Sequence, residues 1–260
     1  MSRGSYLPLI PHAADRRGGT KTYIEWGWTV GLLQALIFQN LPRERPVRAL
    51  DVGCGVGRLA IAYSPYLVLG DSYTGFDVNR EDVDFCRRHY TAPQLSFLHF
   101  EAHNRVYAAG QGDGQVRWPV ADGSFNVLTA LSIWTHLDEA DAGFYLGEVA
   151  RALAPGGRAI ISFFILDEIY DRTLAGRGER VSRFYPQLET KWIFDKPLDG
   201  STEWFYPSWA VLPEEATAIR KPAFDRIIAQ AGLKLEQFYP GSWKEQPGLF
   251  FQDIAIFAKT

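Results

Sequence analysis

The sequence predicts a doubly wound α/β fold. It is a mostly parallel seven-stranded sheet with helices on both faces, an antiparallel last strand, and an aromatic-rich insertion between strands five and six. Three observations predict it. Short apolar runs alternate with helical patterns five times between residues 47 and 165, the order of a parallel sheet wrapped by helices. The first run ends in a glycine cluster, Gly53-Cys54-Gly55-Val56-Gly57, where a strand turns sharply into a helix. The alternation stops at residue 166 and resumes after 221.

Residues 1–20 are polar and rich in Pro and Gly, and residues 21–40 carry apolar side chains at helical spacing up to Leu41-Pro42. Together 1–46 read as an arm and a cap helix. VRALDV (47–52) is the continuous apolar run of a buried parallel strand. GRLAIAYSPYL follows as a helix, YTGFDV (73–78) as a second strand, and NREDVDFCRRHY as a second helix with Asn79 as its N-cap. LSFLHF (95–100) is the third strand and 104–117 a loop. SFNVLTALSI (124–133) is the fourth strand, and DAGFYLGEVARAL (141–153) an amphipathic helix stopped by Ala154-Pro155-Gly156-Gly157. RAIISFFI (158–165) is the fifth strand and closes a core of 47–165. Residues 166–221 have no clear period and read as an inserted cover. Residues 222–260 supply a helix, AFDRIIAQAG, and two strands, LKLEQFYP and FFQDIAIFAK, that complete the sheet.

Composition narrows the function classes. The 260 residues are 47% hydrophobic and 22% charged, as in ordinary globular proteins, and the net charge of -3 opposes non-specific nucleic-acid binding. No apolar run approaches the roughly 20 residues of a membrane span. The two cysteines, Cys54 and Cys86, form no CxxC pair, and the N-terminus lacks a signal-peptide pattern. A cytoplasmic setting is expected. Arg172, Arg177, Arg180 and Arg183 cluster in the insertion, and a solvated loop is their plainest reading.

The glycine turn points to a ligand, because ligands sit outside the carboxyl ends of parallel strands. A dinucleotide loop of the G-x-G-x-x-G type fits Gly53 and Gly55 but meets Arg58 at its third glycine. Asp51, just before the turn, would oppose a pyrophosphate and suits a cationic ligand on Coulomb grounds. There is no phosphate-loop pattern. Asp77 ends the second strand, where an acid accepts ribose hydroxyls; its alternative is a cap of the next helix. Glu101-Ala102-His103-Asn104 follows the third strand, where a polar group holds an adenine edge or caps the loop.

These residues resemble the class I methyltransferases that use S-adenosylmethionine (SAM), a family with a Rossmann-like core. The resemblance rests on Leu50-Asp51-Val52-Gly53-Cys54-Gly55-Val56-Gly57-Arg58, on Asp77, on Pro119-Val120-Ala121-Asp122-Gly123-Ser124-Phe125-Asn126, and on Leu153-Ala154-Pro155-Gly156-Gly157. It covers about residues 47–165. It implies SAM as cofactor, with S-adenosylhomocysteine (SAH) as product. It implies cofactor contacts at Asp51, Gly53, Cys54, Gly55, Arg58, Asp77, Val78, Glu101, Ala102 and Leu131. The family often has Asp where Glu101 and Asn126 stand.

Transfer from a sulfonium to oxygen or nitrogen needs alignment and a base. His136, in Ser132-Ile133-Trp134-Thr135-His136-Leu137 after the fourth strand, is the best base candidate; a cap or packing role is its alternative. His103 ranks second. Trp134, His103, Tyr185, Trp192 and Trp204 are candidate acceptor contacts, with a mini-core or dimer contact as the competing reading of the aromatic insertion. No metal-ligand spacing is visible. The chain's ending is similar to bacterial glycan and natural-product methyltransferases, so the expected acceptor is a small molecule, foremost a hydroxyl of a sugar or related metabolite. Oligomeric state is left open. Two rivals remain: a non-catalytic SAM-binding partner or sensor, and an NAD(P)-dependent oxidoreductase.

Overall fold

A computed structural model of the chain describes residues 10–16, 22–44, 46–101 and 115–259. The chain divides into two compact units, Met1–Thr129 and Ala130–Thr260.

In the first unit, α1 (Tyr23–Asn40) starts at Thr22, whose hydroxyl accepts from the Glu25 amide, and buries Trp26, Val30, Leu33, Leu36 and Ile37. β1 (Arg48–Val52) leads through the glycine turn into α2 (Arg58–Tyr63). β2 (Ser72–Asp77) leads into α3 (Arg80–His89), and Asn79 caps α3 by accepting from the Glu81 and Asp82 amides. That arrangement satisfies two of the four amides a helix start leaves open. β3 (Leu95–His99) follows, and β4 (Phe125–Ala130) ends at the unit boundary. Asn126 fixes the start of β4, accepting from the Arg48 amide and donating to the Pro46 carbonyl.

The second unit contains α4 (Glu139–Ala152), β5 (Leu153–Phe163), β6 (Ile165–Leu166), α5 (Glu168–Leu174), β7 (Phe194–Pro197), β8 (Trp204–Pro207), β9 (Ala218–Arg220), α6 (Lys221–Gln230), β10 (Leu233–Tyr239) and β11 (Asp253–Lys259).

The main sheet has seven strands in the order β10-β11-β5-β4-β1-β2-β3. β1 runs parallel to β2 and β4, and β2 to β3, while β11 is antiparallel to both β5 and β10. The mostly parallel sheet with an antiparallel end is the fold class expected. The carboxyl ends of β1, β2 and β3 therefore share one edge.

Two elements differ from expectation. The Ala-Pro-Gly-Gly segment continues into β5, whose pairing with β11 runs from Arg158 to Phe163. The aperiodic insertion holds most of a second sheet of four strands, β6-β9-β8-β7. Its strands are two to four residues long and β7 is bulged, too short for an alternation to register. Phe164, Leu166, Tyr170, Phe194, Ala218 and Trp243 bury their side chains against one another and form its core.

Candidate active site

The first unit places the glycine turn where β1 ends. The amides of Gly53 and Cys54 both donate to the Phe76 carbonyl, and that of Gly57 donates to Cys54. Gly55 has φ +48°, and a Cβ built on it would meet nothing within 4 Å, so the turn is open there. Gly57 has φ +82° at the N-cap of α2, and a Cβ there would run into the Tyr90 ring. Only glycine suits both positions.

Asp77 stands at the end of β2. Its Oδ2 accepts from the Gly55 amide and its Oδ1 from the Asn79 amide, both at 2.8 Å. Burial raises its pKa, while these amides pull it back. Asp77 thus ties the glycine turn to the start of α3. Val78 beside it is half-buried.

Asp51 is not where its charge argument placed it. It is 1% exposed, and both oxygens are engaged: Tyr73 donates to Oδ2 at 2.5 Å and Thr129 to Oδ1 at 3.0 Å. Desolvation raises its pKa to about 7, against the lowering effect of those two hydrogen bonds. Asp51 faces Gly75 and Thr129 in the sheet register, so it braces β1 against its neighbours. Its assignment as a contact to a cationic ligand thus meets a carboxylate whose two oxygens are already bonded within the sheet. Arg58, partly buried at the start of α2, has its pKa lowered by desolvation and raised by Asp51. Cys54 is buried, and its thiol pKa is pushed up by Cys86 and by burial, so it is no nucleophile. Glu101 is exposed and pairs with Arg80 at 3.3 Å. Ala102 and His103 lie outside the described residues.

The second unit holds the loop that leaves β4. Leu131 is half-buried there. His136 closes a short 3-10 turn, Trp134–His136, and its Nδ1 lies 2.8 Å from the Glu214 carbonyl oxygen. A carbonyl only accepts, so Nδ1 carries the proton and Nε2 of the neutral ring carries the lone pair. Burial lowers the pKa of His136, with the Glu214 carbonyl opposing. The Glu214 carbonyl therefore holds the ring with its proton on Nδ1.

Sequence reasoning missed a polar network in the same loop. Ser132 takes the left-handed conformation, φ 59°. Its amide donates to Ser162 Oγ at 2.7 Å, and both serine hydroxyls donate to Oε1 of Gln252, at 3.0 and 2.6 Å. Nothing in the sequence marks a serine as left-handed, and Gln252 is far away along the chain. The Glu214 carbonyl is main chain and leaves no residue-type signal at all.

The candidate acceptor aromatics divide. Trp134 is 2% exposed and donates through Nε1 to the Ala142 carbonyl; Trp204 is 1% exposed within β8. Trp134 is thus a core side chain, a correction of its reading as an acceptor contact, whereas Trp204, though buried, also lines a cavity of about 390 Å³ with Asp138, Leu198 and Ser201. Tyr185 is buried with its ring 5.5 Å from Phe251. Trp192 is half-buried among Phe164, Trp209 and Phe251.

Comparison with known proteins agrees with the turn geometry. The methyltransferase domain family matches residues 50–161, from the end of β1 to β5. Residues 50–161 of this chain therefore match a methyltransferase domain. Its cofactor is SAM, and the residues present fit it: the turn is open at Gly55, and a carboxylate, Asp77, stands at the end of β2. The chain is 24% identical over 181 residues to a ubiquinone biosynthesis O-methyltransferase of Bradyrhizobium, covering 69% of this chain and 64% of that protein. It is 25% identical over 230 residues to a 27-O-demethylrifamycin SV methyltransferase of Amycolatopsis mediterranei, covering 80% and 76%. A SAM-dependent methyltransferase of Methanosarcina mazei shares the fold, with TM-score 0.55 at 17% identity over 86% of this chain and 96% of that one. The chain spans less than two thirds of the first of these relatives, and about a third of some others.

Proposed function

We propose that this methyltransferase domain serves an O-methyltransferase, which moves a methyl group from SAM to a hydroxyl oxygen of a small-molecule acceptor. The observation that carries the reading is the hydrogen bond from His136 Nδ1–H to the Glu214 carbonyl, in the loop leaving β4. It fixes the ring with its proton on Nδ1, in the loop that follows β4, whose carboxyl end lies on the edge where ligands bind in such sheets. SAM, when bound, supplies an electrophilic methyl on a sulfonium. His136 Nε2 would take the acceptor's hydroxyl proton and so free that oxygen to accept the methyl group SAM would supply, with the methyl ether and SAH as products. Gly53, Gly55, Asp77, Val78 and Leu131 are the residues we assign to the cofactor, with Glu101 at its adenine edge. Asp51, Cys54 and Arg58 support the turn from within.

The relatives named above methylate oxygen by name, which supports oxygen over nitrogen. A sugar or related polyol stays the acceptor class we favour. Trp192, half-buried rather than buried, is the aromatic we assign to it. Cys54 and Cys86 are free thiols, which fits a reducing cytoplasm. Among the described residues no helix is long and apolar enough to cross a membrane.

The test is SAH release over a panel of hydroxylated acceptors, with wild type and His136→Gln. General-base catalysis contributes roughly a hundredfold or more, so a loss of that size in kcat with SAM affinity intact is expected. Equal turnover by the two proteins would remove His136 as base. No turnover of any acceptor, with SAM bound, would favour a binding or sensor protein.

A further inference from the structure

The fold gathers the insertion's arginines, which the sequence left as a solvated loop, around one cavity. Arg172, Arg177, Arg180 and Arg183 line a space of about 310 Å³ together with Glu189 and Glu245. Their charges are not all spent. Arg180 pairs with Glu189 at 2.6 Å, and the Gly178 amide donates to the same carboxylate. Arg177 donates through Nη1 to the Trp192 carbonyl at 2.8 Å and stacks over Tyr170 at 5.0 Å. Its Nε is buried and has no hydrogen-bond partner. Glu245 accepts from Ser182 through Oε2, while its Oε1 is buried without a partner. Arg172 and Arg183 are exposed, and among the described residues neither makes an ion pair.

The cavity is therefore concave and net positive, with the guanidinium groups of Arg172 and Arg183 unpaired along it among the described residues. A guanidinium fork matches two oxygens of a phosphate or carboxylate, which makes the charge-assisted pairs that Arg favours.

We propose that this cavity is an oxyanion subsite for a phosphate or carboxylate group carried by a hydroxylated acceptor. Assigning that group to the acceptor rests on the methyl-transfer reading above; the anion site itself does not.

The test is calorimetric titration of inorganic phosphate and of acetate, at ionic strength held constant with chloride, into wild type and Arg172→Gln/Arg183→Gln. Both side chains are exposed, so the variant keeps its fold; the two single variants serve as a second check. Saturable binding is expected in wild type, weakened about tenfold in the double variant, as for loss of a charge-assisted hydrogen bond. The tighter of the two anions identifies the group. Failure of both anions to saturate, or equal binding by the double variant, would overturn the subsite. SAH titrated into the same wild-type sample separates the two readings. SAH binding without anion binding removes only the subsite. Anion binding without SAH binding keeps the subsite and removes the methyl-transfer reading.

Discussion

The phenol of Tyr73 donates to the buried carboxylate of Asp51 at 2.5 Å, with Thr129 closing the other oxygen at 3.0 Å. A sequence motif thus hides an internal brace. The carboxyl pKa rises from an ordinary 3.8 to about 7, chiefly through desolvation. Between those values the folded state holds a proton that the unfolded chain has released. The stability from this group is full below about pH 4 and is lost as pH rises toward 7. Asp51→Asn removes this dependence. Urea unfolding at pH 4.5 and 7.5 should favour the variant at the higher pH by up to a few kcal/mol, at about 1.36 kcal/mol per pKa unit. A wild-type-to-variant difference that does not move with pH would show a normally titrating Asp51.

His136 gives a second pH dependence, of opposite sense. Its pKa lies below the usual 6.5 because burial disfavours the imidazolium. Protonation removes the lone pair on Nε2, so kcat/KM should climb with pH through a limb below 6.5 and then level. In His136→Gln the limb should vanish together with most of the rate. A limb that persists in the variant would place the base elsewhere.

Much of this was legible in the sequence, and the reasons differ residue by residue. Continuous apolar runs and the glycine cluster mark β1, β2, β4 and β5 because burial on both faces and a sharp turn leave composition signals. Asn79 was legible as a cap because its function is local, two and three residues from the amides it meets. Asp51 was misplaced because its partners, Tyr73 and Thr129, come from neighbouring strands, and only the register brings them together. Trp134 stayed open between core and ligand wall because a tryptophan in a core and one at a ligand look alike in one dimension. The Ser132–Gln252 bond spans most of the second unit's chain, with no local pattern to announce it.

A buried ion triad fastens the insertion. Lys244, with 0% of its surface exposed, pairs with Asp167 at 2.7 Å and with Asp253 at 3.0 Å. Asp253 also accepts from the Gly241 and Ile165 amides, and Asp167 caps α5. Removing one partner strands the other charges away from water. Lys244→Met should cost about 3–5 kcal/mol in denaturant unfolding. The added change Asp253→Asn should recover part of that loss, since it removes the stranded charge. A cost below about 1 kcal/mol, the range of exposed pairs, would mean that water reaches the triad.

The central assignment is tested most directly by calorimetric titration of SAH, with NAD as the control ligand, into wild type and Asp77→Ala. Asp77 accepts from Gly55 and Asn79 and stands where the ribose hydroxyls are expected. SAH should bind wild type and bind the variant about tenfold or more weakly, at about 1.4 kcal/mol per decade, with NAD silent in both. Binding of NAD in place of SAH, or no binding of either, would contradict the assignment of the glycine turn to a SAM-dependent methyltransferase.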